Sequence, residues 1–317
     1  MPEGASEPGF PKHFDGKRFY NPNARQVPGL HEVLRWKLTS RPEPSPSFVS
    51  DVEPSVPPGQ VEGGLRITLV NHSTVLLQQR GCNILTDPIW SERASPLSWT
   101  GPRRRRIPGV AWEDLPRIDV VLISHNHYDH LDLPTLRQLA ARGDSTIVVP
   151  VGVAGLLRSE NIGVARELDW GESLSLESAT IHCVPAMHFS SRGISDRNKT
   201  LWCGYVIERP EGRVYFAGDT GFGPHFAKIR ERFGSPHVAL LPIGAYEPRW
   251  FMSPIHMGPD EAVRAHEILG AGTSIAIHHG TFKLTDEGID TPAKQLMACA
   301  PHGSFLVLKN GEFAELP

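Results

Sequence analysis

The sequence predicts an α/β fold, a four-layer αββα sandwich with two sheets packed face to face between outer helices. Three observations carry this. Short β-branched and apolar runs cluster before helical patterns begin, and the same order recurs in the second half of the chain. The later helical segments are numerous enough to cover both sheets from outside. Several strand-like runs end abruptly in small or polar residues, the lip of a sheet where α/β proteins bind ligands.

The 317 residues allow one large domain or two ordinary ones. With 39% apolar and 21% charged residues, the chain can build a core and is not disordered throughout. A net charge of −3 provides no global field for nucleic acid or an anionic membrane. Cys82, Cys183, Cys203 and Cys299 have no CxxC spacing and read as reduced thiols of a cytoplasmic protein. No secretory leader is visible at the N-terminus. No apolar run approaches the roughly eighteen residues of a membrane span, so a soluble protein is expected.

The first sixty residues hold 11 of the 29 prolines and little periodicity. Residues 1–60 therefore read as a proline-rich arm, either wrapped on the main domain or trailing as a tail, and residues 61–317 as one domain. One short helix is expected inside the arm, from Pro28 through Leu38, followed by a proline-rich connector from Arg41 to Gln60. Leu65–Val70, Thr74–Gln79 and Asn83–Thr86 are short runs separated by turn residues, which is a meander. A long polar connection from Asp87 to Pro116 holds Trp90, Trp99, Trp112 and the run Arg103 to Arg106. That run could bind lipid phosphates, but is read first as a solvated loop or as partner to acidic neighbours. The tryptophans, with Trp250 and Phe251, suit either core packing or an apolar mouth.

An apolar strand, Ile118–Ile123, leads into Ser124-His125-Asn126-His127-Tyr128-Asp129-His130. His125 and His127 alternate by two, so in extended chain they point to one side. Asp132 is placed to cap a helix from Leu133 to Arg142, with Pro134 in its first turn and Gly143 as the stop. Imidazole and carboxylate at this density suit zinc or a neighbouring divalent metal. Strands follow at Thr146–Val149, Thr180–Pro185, Leu201–Glu208 and Val214–Ala217, with a short helix at Val153–Arg158. The last third alternates helix and strand: His225–Phe233, Val238–Pro242, Pro259–Leu269, Ser274–Ile277, Pro292–Ala300 and Phe305–Leu308.

Further metal-capable residues stand at strand ends. His188 follows Ile181–Ala186. Asp219 lies in Gly218-Asp219-Thr220-Gly221, where glycine lets the backbone turn sharply. His278 and His279 both follow Ser274–Ile277, and the spacing alone does not choose between them. Asp87, before Pro88, reads either as a carboxylate orienting a ligand imidazole or as a turn residue. His72 could face the cleft or sit in a hairpin turn, and the turn is the favoured reading.

The motif His125-x-His127-x-Asp129-His130, the later His188, Asp219 in its Gly-Asp-Thr turn and the final His278 resemble the metallo-β-lactamase superfamily. Within it, the chain looks most like the N-acyl-phosphatidylethanolamine phospholipase D branch. The residues that carry this are His125 to Asp132, Gly244 to Met252 and Ile277 to Phe282. The resemblance covers roughly Leu65 to the C-terminus and implies a metallo-β-lactamase fold with two divalent metal ions, zinc by default and manganese or iron otherwise. It implies that His125, His127 and His188 hold one metal and Asp129, His130 and His278 the other, with Asp219 bridging; the pattern selects His278 over His279. Two close cations do need an anionic bridge, and together they acidify a shared water. Asp129, Asp219 and His256 are implied to be catalytic, with His256 steadying the phosphate or protonating the leaving oxygen. Asp87, Tyr246 and Arg249 are supporting or substrate-contacting candidates. Ile255 departs from the polar residue of better-known members.

The expected function is phosphodiester hydrolysis of a phospholipid such as N-acyl-phosphatidylethanolamine, by in-line attack of water on phosphorus. The alternative is a lactonase or β-lactamase-like hydrolase of a small molecule, differing in the electrophile. A non-catalytic metal module predicts missing ligands, yet all seven positions are filled. A nuclease would need a basic groove, and no nucleic-acid partner is expected. Any membrane contact would have to be peripheral, and a homodimer is implied by the resemblance alone.

Overall fold

The structure, a computed structural model, describes residues 10–22, 29–143, 145–193, 195–300 and 303–317. Helix α1 (Leu30–Thr39) lies in the arm; the Pro28 start expected for it falls outside the described residues. The first half continues with β1 (Leu65–Asn71), β2 (Thr74–Gln79), β3 (Cys82–Thr86), a 3-10 turn (Trp112–Asp114), β4 (Val120–Leu122), α2 (Leu133–Arg142), β5 (Thr146–Pro150), α3 (Val153–Ser159) and β6 (Ala165–Leu168). The second half holds β7 (Ser173–Ser175), β8 (Thr180–Val184), β9 (Gly204–Arg209), β10 (Gly212–Phe216), α4 (His225–Phe233), β11 (Val238–Pro242), α5 (Arg249–Met252), α6 (Pro259–Leu269), β12 (Thr273–Ile277), α7 (Thr291–Cys299), β13 (Phe305–Leu306) and β14 (Phe313–Leu316).

Among the described residues the strands form two sheets of seven, in the orders β14-β1-β2-β3-β4-β5-β6 and β13-β12-β11-β10-β9-β8-β7. Each begins as an antiparallel meander and turns parallel where helices enter the connections. β3, β4 and β11 are buried at every position, as expected for strands covered on both faces. One apolar cluster, including Ile67, Leu122, Tyr205, Phe216 and Ile277, fills the space between the sheets. A second packs α2 and α3 onto the first sheet through Leu136, Leu139, Val153 and Leu157. A third packs α4, α6 and α7 onto the other sheet through Phe226, Ala262, Leu269 and Leu296. The αββα sandwich is the observed fold.

Helix α2 runs over the expected residues, with Gly143 at φ 148° ending it. Its start differs from the expectation. The Asp132 carboxylate makes no cap bond to the helix backbone, because it accepts from the Ser91 amide and hydroxyl and the Thr135 hydroxyl. The strand expected from Leu201 begins at Gly204. Residues 201 and 203 instead donate their amides across the sandwich, to Val151 and Ser124.

The arginine run pairs with acidic neighbours, as one of its readings expects, and is not a solvated loop: Arg103 pairs with Glu92, and Arg104 and Arg106 are only 8% exposed. Arg104 donates to the Ile89 and Ser91 carbonyls, and Arg106 bridges Asp51 of the arm and Asp290. The described parts of the arm lie on the domain. His13 stacks on Trp170, and Asn21 donates to the His188 carbonyl at 2.8 Å while accepting from the Trp202 indole.

Candidate metal centre

Seven side chains converge where the two sheets meet at their strand ends. β4 delivers His125, His127, Asp129 and His130 from the first sheet. The ends of β8, β10 and β12 deliver His188, Asp219 and His278 from the second. Gly218, at φ 60°, makes the turn before Asp219; a Cβ there would lie 2.6 Å from that of Ser124. His278 itself adopts φ 57°, the left-handed conformation that turns its ring inward.

Two groups of donor atoms result. His127 Nδ1 lies 2.8 Å from His125 Nε2 and 3.2 Å from His188 Nε2. Asp129 Oδ2 lies 3.3 Å from both His130 Nε2 and His278 Nε2. Between the groups stands Asp219, whose Oδ2 is 3.2 Å from His130 Nε2, 3.1 Å from His278 Nε2, 3.8 Å from His188 Nε2 and 4.0 Å from His125 Nε2.

For His125, His130 and His188 the opposite ring nitrogen is taken by the protein, which assigns their tautomers from the network. His188 Nδ1 donates to the Ile255 carbonyl at 2.9 Å, and His130 Nδ1 donates to Asp87 Oδ2 at 2.6 Å. Ser124 gives its hydroxyl proton to the same Asp87 oxygen and accepts from His125 Nδ1 at 2.9 Å. The Nε2 atoms of His125 and His188 are thereby turned, as bare lone pairs, toward the centre, while that of His130 faces the carboxylates of Asp129 and Asp219. Lone pairs so close together call for a shared cation. The donor set fits two divalent metals.

The electrostatics of the metal-free chain agree. Burial, with help from neighbouring histidines, drives His125 well below the ordinary imidazole range, His127 to about 3 and His188 to about 4. Burial opposes charge on His130 and His278 as well, but Asp219 first, with Asp129, outweighs it. His130 is held well above its ordinary value and His278 is raised to about 9. Burial works equally against Asp129 and Asp219, yet His130 foremost keeps both carboxylates well below their usual range. Those four imidazolium–carboxylate contacts lie where bonds to a metal would form.

His256, 8% exposed, presents its ring 5.0 Å from that of His188 and 5.3 Å from that of His278, with Nδ1 3.9 Å from Asp219 Oδ2. Asp87 lies beneath the centre. Tyr246 and Arg249 do not reach it. The Tyr246 hydroxyl donates to Gln295, and Arg249 is held by Glu261 and by the carbonyls of Tyr246 and His256. They support the loop that carries His256 and make no contact with the ligand cluster. His279 turns away, beside Arg106, leaving His278 in the centre.

Two further residues shape the site: His72, for which the turn is the favoured sequence reading, and Arg192, which the sequence does not single out. His72 does occupy a turn, between β1 and β2, but its ring enters the cluster, with Nε2 3.0 Å from Asp129 Oδ2. Arg192 lies over the Tyr128 ring at 4.0 Å and donates to the carbonyls of Asn126 and Leu131, both at 2.8 Å, clamping the ligand loop. A histidine in a turn and an arginine in a loop carry no local signal of such roles.

A β-lactamase superfamily domain matches residues 82–279. The N-acyl-phosphatidylethanolamine-hydrolyzing phospholipase D 1 of Caenorhabditis elegans is 39% identical over 294 residues, 85% of this chain and 82% of that protein. The mitochondrial N-acyl-phosphatidylethanolamine-hydrolyzing phospholipase D of Saccharomyces cerevisiae is 36% identical over 233 residues, 71% of this chain and 49% of that protein. Among solved structures, a possible metal-dependent hydrolase from Veillonella parvula superposes with a TM-score of 0.67, covering 80% of this chain and 100% of that one at 20% identity, a likeness of fold. A fold, a ligand order and these identities agree, and the chain belongs to the metallo-β-lactamase superfamily, in its N-acyl-phosphatidylethanolamine phospholipase D-like branch.

Proposed function

We propose that the protein is a dinuclear-metal phosphodiesterase of phospholipase D type, hydrolysing N-acyl-phosphatidylethanolamine or a related phospholipid to phosphatidic acid and an alcohol. His125, His127 and His188 would hold one cation, Asp129, His130 and His278 the other, with Asp219 between them. Zinc is the default for this donor set, and manganese or iron also suit it. Such a pair, when bound, supplies positive charge for phosphoryl oxygens and acidifies water near neutral pH.

The observation that carries the lipid reading is an apolar wall beginning at a metal ligand. Phe189 sets its ring 4.6 Å from that of His127. Beyond it Phe251, Met252 and Ile255 pack against Val33 and Trp36 of α1. Phe251, Met252 and Ile255 are buried, so a phosphate at the centre would leave its acyl chains along the half-buried rim of this cluster, Phe189, Val33 and Trp36. Ile255 suits such a wall better than a polar residue would, and its carbonyl still orients His188. His256 Nδ1 is buried without a protein partner, and burial first of all holds the ring well below the imidazole range. A neutral ring acts by donating an N–H to a phosphoryl or leaving oxygen, not as an imidazolium acid.

Leu34 and Leu38 of α1 are 57% and 86% exposed, and Trp250 beside them carries the Arg35 guanidinium at 4.6 Å. Apolar groups with a cation at the edge suit peripheral contact with a lipid surface. Among the described residues no helix is long and apolar enough to cross a membrane. Four free cysteines support a reducing, cytoplasmic setting.

The test is phosphatidic acid release from N-acyl-phosphatidylethanolamine vesicles by the zinc-loaded protein, with Asp219→Ala as control and metal content measured in both. Release that disappears in the variant supports the reading. No release from protein carrying two metals sinks this substrate class while leaving the centre intact.

A further inference from the structure

We propose that His72 is a positioning residue of the centre, whose Nε2–H holds the carboxylate of Asp129 and so governs occupancy of the metal position formed by Asp129, His130 and His278. The inference rests on the metal-centre reading above and deepens it.

Asp129 is the one ligand of the HxHxDH motif whose carboxylate can rotate to offer either oxygen. Its Oδ2 is shared by three imidazole nitrogens, His72 Nε2 at 3.0 Å and those of His130 and His278 at 3.3 Å each. Metal binding would withdraw the His130 and His278 nitrogens from hydrogen bonding. His72 would then be the remaining imidazole donor to Asp129. A carboxylate ligand without such a partner loses its fixed orientation, and with it part of its affinity for the cation.

His72 is itself held rigidly. It is 1% exposed, its ring lies 4.2 Å from that of His278, and Phe282 meets it edge-on at 5.3 Å. Its amide donates to the Thr281 hydroxyl at 2.9 Å, and its carbonyl accepts from the His278 amide at 2.9 Å. The β1–β2 turn is thus stitched to the loop carrying His278. The residue adopts φ 47°, a conformation disfavoured for a side chain with a Cβ and retained where the surroundings demand it. A hairpin turn with no other duty would take glycine or asparagine here.

The experiment uses the full chain, stripped by chelator and reloaded with zinc. Zinc per chain is measured by elemental analysis and site affinity by competition with a chromophoric chelator, while thermal melts of the metal-free forms report folding. The wild type is expected to hold two zinc ions. His72→Ala is expected to keep one and to bind the second at least about tenfold more weakly, the range of such outer-sphere effects. His72→Gln, whose amide reaches the Nε2 position, should recover most of the loss. Two zinc ions bound with wild-type affinity by His72→Ala would overturn the proposal, as would a Gln variant no better than Ala. If the Ala variant melts early, Gln is compared with His72→Asn, whose shorter amide falls short of Asp129. Equal affinities of those two would also overturn it. A wild type holding no zinc would overturn the metal reading instead, which separates the two failures.

Discussion

The carboxylate of Asp87 lies 2.6 Å from Nδ1 of His130, both side chains wholly buried. Through the Ser124 hydroxyl the same oxygen also reaches His125. One carboxylate therefore orients an imidazole in each half of the centre. Burial raises the Asp87 pKa and the His130 contact counters it. Asp87→Asn keeps the shape but weakens the acceptor, and is expected to reduce zinc affinity about 10–100-fold. Chelator competition measures this, and an unchanged affinity would remove Asp87 from the account.

Gly244 ends the segment after β11, where an added Cβ would lie 2.1 Å from the His278 carbonyl oxygen. Backbone cannot yield there without moving His278. Gly244→Ala is expected to cost on the order of 3 kcal/mol of stability and to lower zinc content. Urea unfolding and elemental analysis check the two effects together.

His225 gives a pH dependence separate from the ligands. Burial lowers its pKa from 6.5 to about 3, and its Nε2–H donates to the Thr220 hydroxyl at 3.1 Å. The folded state thus binds the proton less readily than the unfolded chain. Its stabilising contribution is complete above pH 6.5 and is lost as pH falls from there toward 3. At pH 5 the loss is about 2 kcal/mol by linkage. His225→Phe, which keeps the packing on Phe226, should show a shallower fall in stability between pH 7 and 5. Parallel curves for the two proteins would refute this.

Trp36 stacks on Phe251 at 5.1 Å, and its indole donates to Asp286. Trp36→Ala opens the apolar wall without touching a metal ligand. KM is expected to rise several-fold for long-chain phospholipids and to stay unchanged for a short-chain analogue, with zinc content unaltered. An equal effect on both substrates would dissociate the wall from acyl binding.

The convergence of the seven His and Asp side chains was legible because such residues are costly to bury without a shared role, and because they fall where apolar runs break off. The meander, the ligand loop and the final alternation of helix and strand were legible for the same reason, since their strands are apolar enough to stand out. The strands that were missed, β6, β7 and β14, lie at or next to sheet edges and expose half or more of their side chains, so their composition resembles loop. Tyr246 and Arg249, expected as supporting or substrate-contacting residues, brace the His256 loop, with their polar ends on Gln295 and Glu261. His72 acquires its role from a residue in the ligand loop and two others near the chain's far end, a juxtaposition that no local pattern encodes.

Each half of the centre draws on both sheets: His125 and His127 from one with His188 from the other, Asp129 and His130 from one with His278 from the other, and Asp219 reaching across to both. The cations would therefore act as bolts through the sandwich. Neither half of the chain on its own could assemble a complete site, so metal capture reports that the two leaves have closed. Separation of the leaves would release both ions together, and the rate of zinc escape to a chelator in excess becomes a clock for that opening.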